Sequence, residues 1–458
     1  MERTMNAPFP FESLLIFSWL GIMLIAGVIL RATIPFLQKY LIPSCLIGGL
    51  LGMVLVNCGV IRIESTHFET FAYHLFNISF ISVGLTARSS EEIKQTGNKE
   101  LLKGSLWMAL LQGIVFPLQA VLSGLMVLAF NLGGYSLFST FGFLLPLGFV
   151  QGPGQALSIG KVWEKLGFEH AASIGLTFAA VGFLVAFFVG VPIVNWGIRH
   201  GHACDGRKVL SPDFIKGIIA RGNARESAGE LSTHSGNIDT LAFQAAIVGV
   251  IYIAAYYIVF LIGKFLSPAL ATTLWGFFFF IGLALALLTR KLLSVIGIEH
   301  LVNPGVQRRI TGWSVDFLIV ATVMAVKFTI VWHYIVPISA IAAANTLITT
   351  IVVLFIGRRI WSCNLERTVS IFGTVTGTVS TGLLLLRIVD PEFKTSVALE
   401  LGFLIIFVSP IIITCMLLVS APLLWGWSMM LTMGVFAGMM IVSAIVMYAL
   451  GMVGKRKF

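Results

Sequence analysis

The sequence predicts an all-α polytopic membrane protein, and three observations carry that reading. Hydrophobic residues make up 57% of the 458 residues and charged residues only 11%, where a soluble domain carries roughly 25%. Mean hydropathy is +0.96. Apolar runs of about 18 residues or more recur from end to end, each long enough to cross a bilayer core as a helix. The runs are continuous, which excludes a β-barrel of short alternating strands.

In chain order the first half offers spans at 14–30, 41–58, 69–87, 103–130, 136–160 and 171–196. Glu2 and Arg3 nearly cancel, and no small-residue cleavage site follows 14–30, so this helix is expected to stay rather than act as a cleaved signal. The second half offers 240–262, 269–289, 314–336, 338–357, 368–387, 396–420 and 423–452. Segments rich in Gly and Pro can re-enter instead of spanning, so the expectation is about 10 to 13 crossings.

Between the halves lies the longest polar stretch, 197–238, with Arg199, Arg207, Lys208, Lys216, Arg221 and Arg225. It reads as a cytoplasmic linker with a short amphipathic helix, because cytoplasmic loops collect Lys and Arg. The organisation expected is a first transmembrane repeat over 1–196, the linker over 197–238, and a second repeat over 239–458 with room for an extra helix. The terminal KRKF (455–458) also favours the cytoplasm. Lys and Arg outnumber Asp and Glu by 30 to 20, but the excess sits in short clusters between apolar runs, so nucleic acid is not an expected partner. Of the five cysteines, Cys45, Cys58, Cys363 and Cys415 read as small core residues. Cys204 shares a loop with His200, His202 and Asp205, a weak surface-metal pattern.

The two halves rhyme weakly. The run ending at Arg31 is followed by LQKYLIPSCLIGG, and that ending at Arg290 and Lys291 by LLSVIGIEHLVNP. FISVGLTARSSEEIK (80–94) aligns loosely with FLIVATVMAVKFTIV (317–331). Late in each half comes a Gly-rich interruption, GFVQGPGQALSIGKVWEKLGF in the first and GTVTGTVSTGLLLLRIVDP in the second. A backbone group inside hydrocarbon must find a partner, so broken helix is tolerated only against protein or along a wet cavity. There its freed carbonyls can hold a cation and its freed N–H groups an anion. Two interruptions in corresponding positions are the best sequence pointer to a secondary transporter's binding site.

The first interruption offers Gln151, Gly152, Gly154 and Gln155, with Pro153 removing a donor. The second offers Thr376, Gly377 and Thr378 toward substrate, and Thr374, Ser380 and Thr381 as candidate sodium ligands. The competing reading is packing, since GTVTG (373–377) is a small-xxx-small pattern. Arg387 either clamps a substrate carboxylate or anchors at the interface, pairing with Asp390. Asn77 and Asn345 are further candidate cation ligands, or interhelical hydrogen-bonding groups. Lys327 falls near the middle of 314–336, where a charge needs a partner such as Asp316, or else it marks a misplaced helix end. Nothing here looks catalytic: CNLE and GHACD lack a positioned base, and there is no P-loop. The sequence is not that of an enzyme, and the expected energy source is an ion gradient.

The chain resembles the bacterial sodium/glutamate symporter family. The resemblance rests on FLQKYLIPSCLIGGLLG (36–52), SVGLTARS (82–89), GKVWEKLGFEHAASIGLTFAAVGFLVAFFVG (160–190), VDFLIVATVMAVK (315–327) and TGTVSTGLLLLRIVDPE (376–392). It implies two inverted-topology repeats with discontinuous or re-entrant helices, a dimeric scaffold and a moving transport domain in the bacterial inner membrane. It also implies sodium-coupled import of L-glutamate, and places ligands at Gln151 to Gln155 and at Thr374 to Arg387. One departure stands out. Where the family's glutamate carriers have a Gly-Gly-His-Gly-Thr-like stretch, this chain has QGPGQ (151–155). The substrate is therefore expected to be L-glutamate, or a different amino acid or organic anion. A non-coupled channel is the alternative from another class.

Overall fold

The structure, a computed structural model, describes residues 11–86, 99–204, 211–221, 223, 229–391 and 395–454. Asp205, Arg207, Lys208 and Arg225 of the polar linker lie outside these residues, as does KRKF at the C-terminus. The described chain is helical. Its principal helices are α1 (Glu12–Thr33), α2 (Ser44–Asn57), α3 (Ser65–Thr86), α4 (Lys99–Leu132), α5 (Leu144–Gln151), α6 (Pro153–Lys165), α7 (Ala171–Phe188), α8 (Gly190–Arg199), α9 (Thr240–Gly263), α10 (Pro268–Gly276), α11 (Phe278–Ile296), α12 (Pro304–Met324), α13 (Ile335–Gly357), α14 (Asn364–Val375), α15 (Val379–Val389), α16 (Val397–Val419) and α17 (Met429–Ala449). Among the described residues, eight helical stretches are long and apolar enough to cross a bilayer: α1, α4, α7 with α8, α9, α11, α13, α16 and α17.

That count is lower than the sequence expectation for three reasons, the first being that the expected span 41–58 is only the 14-residue α2, shorter than a bilayer crossing. The expected spans 136–160 and 368–387 are each two short helices meeting at a break. The expected spans 69–87 and 314–336 correspond to α3 and α12, which have the length but are more polar. In addition, α12 stops at Met324, and a separate short helix, Phe328–His333, follows.

The chain divides into two compact units, each drawing helices from both halves of the sequence. One comprises Met1–Ala87, Asp213–Phe265 and Phe277–Phe328, and so holds α1, α2, α3, α9, α11 and α12. Within it α1 packs on α2 as α9 packs on α11, and α2 packs on α12 as α11 packs on α3. At its centre α3 and α12 pack on each other. Small residues allow the close approaches: a Cβ added at Gly84 would lie 2.7 Å from Ala286 Cβ, and one at Gly49 would lie 2.9 Å from Val323 Cβ.

Part of the polarity of α3 and α12 is turned inward, at Ser82 and Gln307, while Arg308 and Arg309 are exposed. Ser82 Oγ donates to the Gln307 side-chain oxygen at 2.6 Å. Gln307 Nε2 in turn donates to Gln244 Oε1 at 3.1 Å, and Gln244 Nε2 to Leu301 O at 2.7 Å. A buried polar chain with its groups paired ties α3, α12 and α9 together without leaving orphaned donors. Within the linker there is a five-residue helix, Pro212–Lys216, with Arg31 donating to Phe214 O at 3.1 Å.

The second unit comprises Arg88–Pro212, Leu266–Gly276 and Thr329–Phe458. Its spine is α4, on which α16 and α17 pack. Pro117 sits inside α4, which apolar helices tolerate where neighbours cover the freed carbonyl. The core is aromatic, with Trp107, Trp163, Phe141 and Phe143 fully buried. Trp163 Nε1, which cannot be buried cheaply without an acceptor, donates to Ser420 Oγ at 2.9 Å.

Candidate functional site

Both Gly-rich interruptions lie in this second unit, and each folds back on itself. In the second, a Cβ on Gly373 would lie 2.9 Å from Gly382 Cα, and one on Gly382 would collide with Ser370 O. Residues nine to twelve apart cannot touch in a straight helix, so α14 and α15 form a hairpin with glycines at the crossing. Of the glycines in the packing pattern GTVTG (373–377), Gly373 packs closely, but against Gly382 of the same hairpin.

The first interruption is read from its packing on α7. Gly160 meets Ala172 and Ala156 meets Gly175, so α6 runs antiparallel to α7. Leu144 meets Gly175, Gly148 meets Ala179 and Phe149 meets Gly182, so α5 runs parallel to α7. The two short helices thus also turn back on each other, with the break at Gly152. Gly152 has φ 81° and ψ −176°, a region closed to residues with a Cβ.

The two turns meet. A Cβ on Gly152 would lie 2.6 Å from Thr378 Cγ2 and 3.3 Å from Gly377 O. On α7, Gly182 comes against Thr376 O and Phe183 against Gly377, so one helix supports both turns. At this junction begin α6 and α15, helices of 13 and 11 residues. The N–H groups of Gly154 and Gln155, and of Val379 and Ser380, lie in first turns and have no acceptor in their own helices. The partial positive charge of two helix starts converges here, and beside it lie the carbonyl ends of α5 and α14.

The structure places the sequence candidates as follows. Gly152, Gly154, Gln155, Thr376 and Gly377 are buried at the junction, Gln151 and Thr378 are half-buried, and Ser380 is exposed. Gln151 and Gln155 make no hydrogen bond to protein among the described residues, so both amides are available. The hydroxyls opposite are largely committed. Thr374 donates to Ser370 O at 2.9 Å, and Thr376 to Phe372 O at 2.7 Å. Thr378 Oγ1 caps α15 and lies 3.3 Å from Thr381 Oγ1.

Other candidates sit elsewhere. Arg387 is in the last turn of α15, nine residues or about 13 Å along the helix from Thr378, and so at the opposite end from the turn. Asn345 Nδ2 donates to Ser123 Oγ at 3.0 Å, joining α13 to α4 in the same unit. Asn77 and Asp316, on α3 and α12, belong to the other unit, where Asn77 Nδ2 donates to Tyr73 O at 2.9 Å. Lys327 is beyond the end of α12, half-buried, which is the misplaced-end alternative.

A sodium/glutamate symporter family model matches residues 11–377, most of the chain and up to the second turn. The chain belongs to that family. Membership makes it a sodium-coupled symporter for glutamate or a related amino acid, a multi-pass inner-membrane protein and not an enzyme. Among solved structures it is similar to a sodium proton antiporter from Methanocaldococcus jannaschii, at 15% identity over 93% of this chain and 99% of that one. The TM-score is 0.30, too low to bear on fold or function. Comparison with curated proteins gave no match.

Sequence reasoning passed over several polar residues of the symporter. Gln119, on α4, donates to Thr349 Oγ1 at 3.0 Å and reaches Val375 O at 3.5 Å, the last carbonyl of α14 before its turn. Asn57 bridges the break after α12, donating to Val326 O at 2.9 Å and accepting from Phe328 N at 2.8 Å. Most conspicuous is a fully buried ion pair at the base of the second hairpin. Arg367 donates Nε and Nη2 to the two carboxylate oxygens of Glu400, at 2.8 and 2.6 Å. Its Nη1 reaches Ser362 O at 2.6 Å, and Nη2 also lies 3.3 Å from Glu100. The signal was present: Glu400 is a lone acid in an apolar run, which should always be asked for its partner.

Proposed function

We propose that the junction of the two hairpin turns is where the symporter holds its substrate and the coupled sodium. The observation that carries this reading is the approach of Gly152 to Thr378 and Gly377. Two breaks that are only kinks have no reason to meet. Breaks that build one site must. Substrate carboxylate is held by the free N–H groups at the starts of α6 and α15, with Gln151 and Gln155 adding donors and acceptors. Thr376 and Thr378 lie toward substrate, and sodium takes oxygens from the carbonyl ends of α5 and α14, with hydroxyls from Thr374, Ser380 and Thr381 as they reorient. The cation also neutralises the substrate's charge, which is the physical basis of coupling.

Both hairpins lie in one compact unit, which supports their moving as one body in elevator-like alternating access. The mirrored helix pairings of the other unit support two inverted-topology repeats, 1–196 and 239–458, joined by a cytoplasmic linker. That unit then serves as the scaffold of a homodimer. The substrate is L-glutamate or a related amino-acid or carboxylate anion, with QGPGQ setting the choice.

The experiment is uptake by purified protein in liposomes, using labelled amino acids and dicarboxylates with and without an inward sodium gradient. Concentrative uptake of one substrate, driven by sodium, is expected. Flux indifferent to the gradient, or conductance far above carrier turnover, would mean a channel instead.

A further inference from the structure

Away from the hairpin junction, two segments far apart in sequence bring three metal-binding side chains together. Cys204 follows α8, Cys363 precedes α14, and Glu366 lies in the first turn of α14. Their ligand atoms all fall within 4.8 Å of one another, and the two sulphurs are 2.8 Å apart. This corrects the reading of Cys363 as a core residue, since it is half-buried beside the exposed Cys204. It also corrects that of Cys58, which is exposed.

We propose that Cys204, Cys363 and Glu366 form a site for a thiophilic divalent cation of the zinc class, linking the end of α8 to the start of α14.

Four features argue for it. The donor set of two thiolates and a carboxylate suits a borderline-soft, tetrahedral cation, with water in the fourth position. Glu366 is only 1% exposed, and its Oε2 has no hydrogen-bond partner. Its Oε1 is fixed by Cys204 N–H at 2.7 Å, while the adjacent Arg367 is committed to Glu400. An unpaired buried carboxylate oxygen is costly, and a cation between it and the sulphurs removes that cost. Next, Cys363 holds φ 40°, a backbone position unusual for a residue with a Cβ, which keeps its side chain at the head of α14. That helix start favours anionic ligands. Finally, the exposure of Cys204 gives an entry path and room to adjust. Sulphurs in a tetrahedral zinc site stand about 3.8 Å apart, so they spread slightly as the ion enters.

The test uses the full-length protein, purified in detergent and kept reduced, titrated with Zn²⁺ against a chromophoric chelator. Cobalt(II) serves as a spectroscopic probe. One zinc per chain is expected, together with thiolate-to-cobalt charge transfer. In Cys204→Ser and Glu366→Gln, affinity should fall by on the order of tenfold or more, while Cys58→Ser binds as the parent does. Binding that is absent, or equal in all variants, overturns the proposal. So does a chain that takes no metal when reduced and only loses two hydrogens on oxidation, which would make the pair a disulfide.

Discussion

The two hairpins solve the same problem with different chemistry. At the first turn the break is made by Gly152 and Pro153, with no side chain capping α6. Its polar side chains, Gln151 and Gln155, have no protein partner among the described residues. At the second turn Thr378 caps α15, and the neighbouring threonines donate to carbonyls one turn back. One hairpin therefore presents unspent hydrogen-bonding capacity, whereas the other consumes much of its own in holding its shape. Selectivity among substrates should then lie in the first turn, and stability of the turn itself in the second.

Substitutions can break this contrast. The largest effect is expected at Gly152. In Gly152→Ala the added Cβ meets both a closed backbone region and Thr378 at 2.6 Å, so the turns separate. Misplacement of about 1 Å at a reacting or binding centre can cost on the order of 100-fold, and uptake should fall by at least about that much. The protein should remain monodisperse on size exclusion, because the burial of α5 and α6 against α7 is kept.

At the base of the second hairpin, Arg367→Leu leaves the Glu400 carboxylate buried without its cation. Breaking a buried pair from one side typically costs about 3–5 kcal/mol, to be seen as a lower thermal midpoint in detergent. The smallest effect is expected for Thr378→Ala, which removes a helix cap worth about 0.5–2 kcal/mol. By the contrast drawn above, its stability loss should exceed any change in substrate preference, measured by competition in the uptake assay.

How much of this was legible in the sequence depends on how far apart the cooperating residues lie. The turns were legible because Gly152–Pro153 and Gly377 break a helix by local chemistry, visible in a window of a few residues. Their meeting was inferred only from corresponding positions. Re-entry was legible as a possibility from the Gly and Pro content, but the contacts that fold each pair back were not: Gly373 meets Gly382 in the second, and Gly160 meets Ala172 of α7 in the first. Lys327 was put mid-helix because the apolar pattern continues past Met324, while the stop is set by Asn57, 271 positions from Phe328. Arg367, Glu400 and Glu100 are likewise joined across long separations, of 33 and 267 positions. Hydropathy shows one residue's cost but not its partner's address. Cys204 and Cys363, 159 positions apart, were unreadable as a pair for the same reason.

The central claim is that the two turns form one site, and labelling tests it most directly. In a background without native cysteines, Gln151→Cys and Ser380→Cys place one thiol on each turn. Each is labelled by a membrane-permeant thiol reagent, with and without sodium and the transported substrate. Both thiols should be protected by the same ligands over the same concentration range. Protection of one turn alone, or of neither, would contradict a shared site.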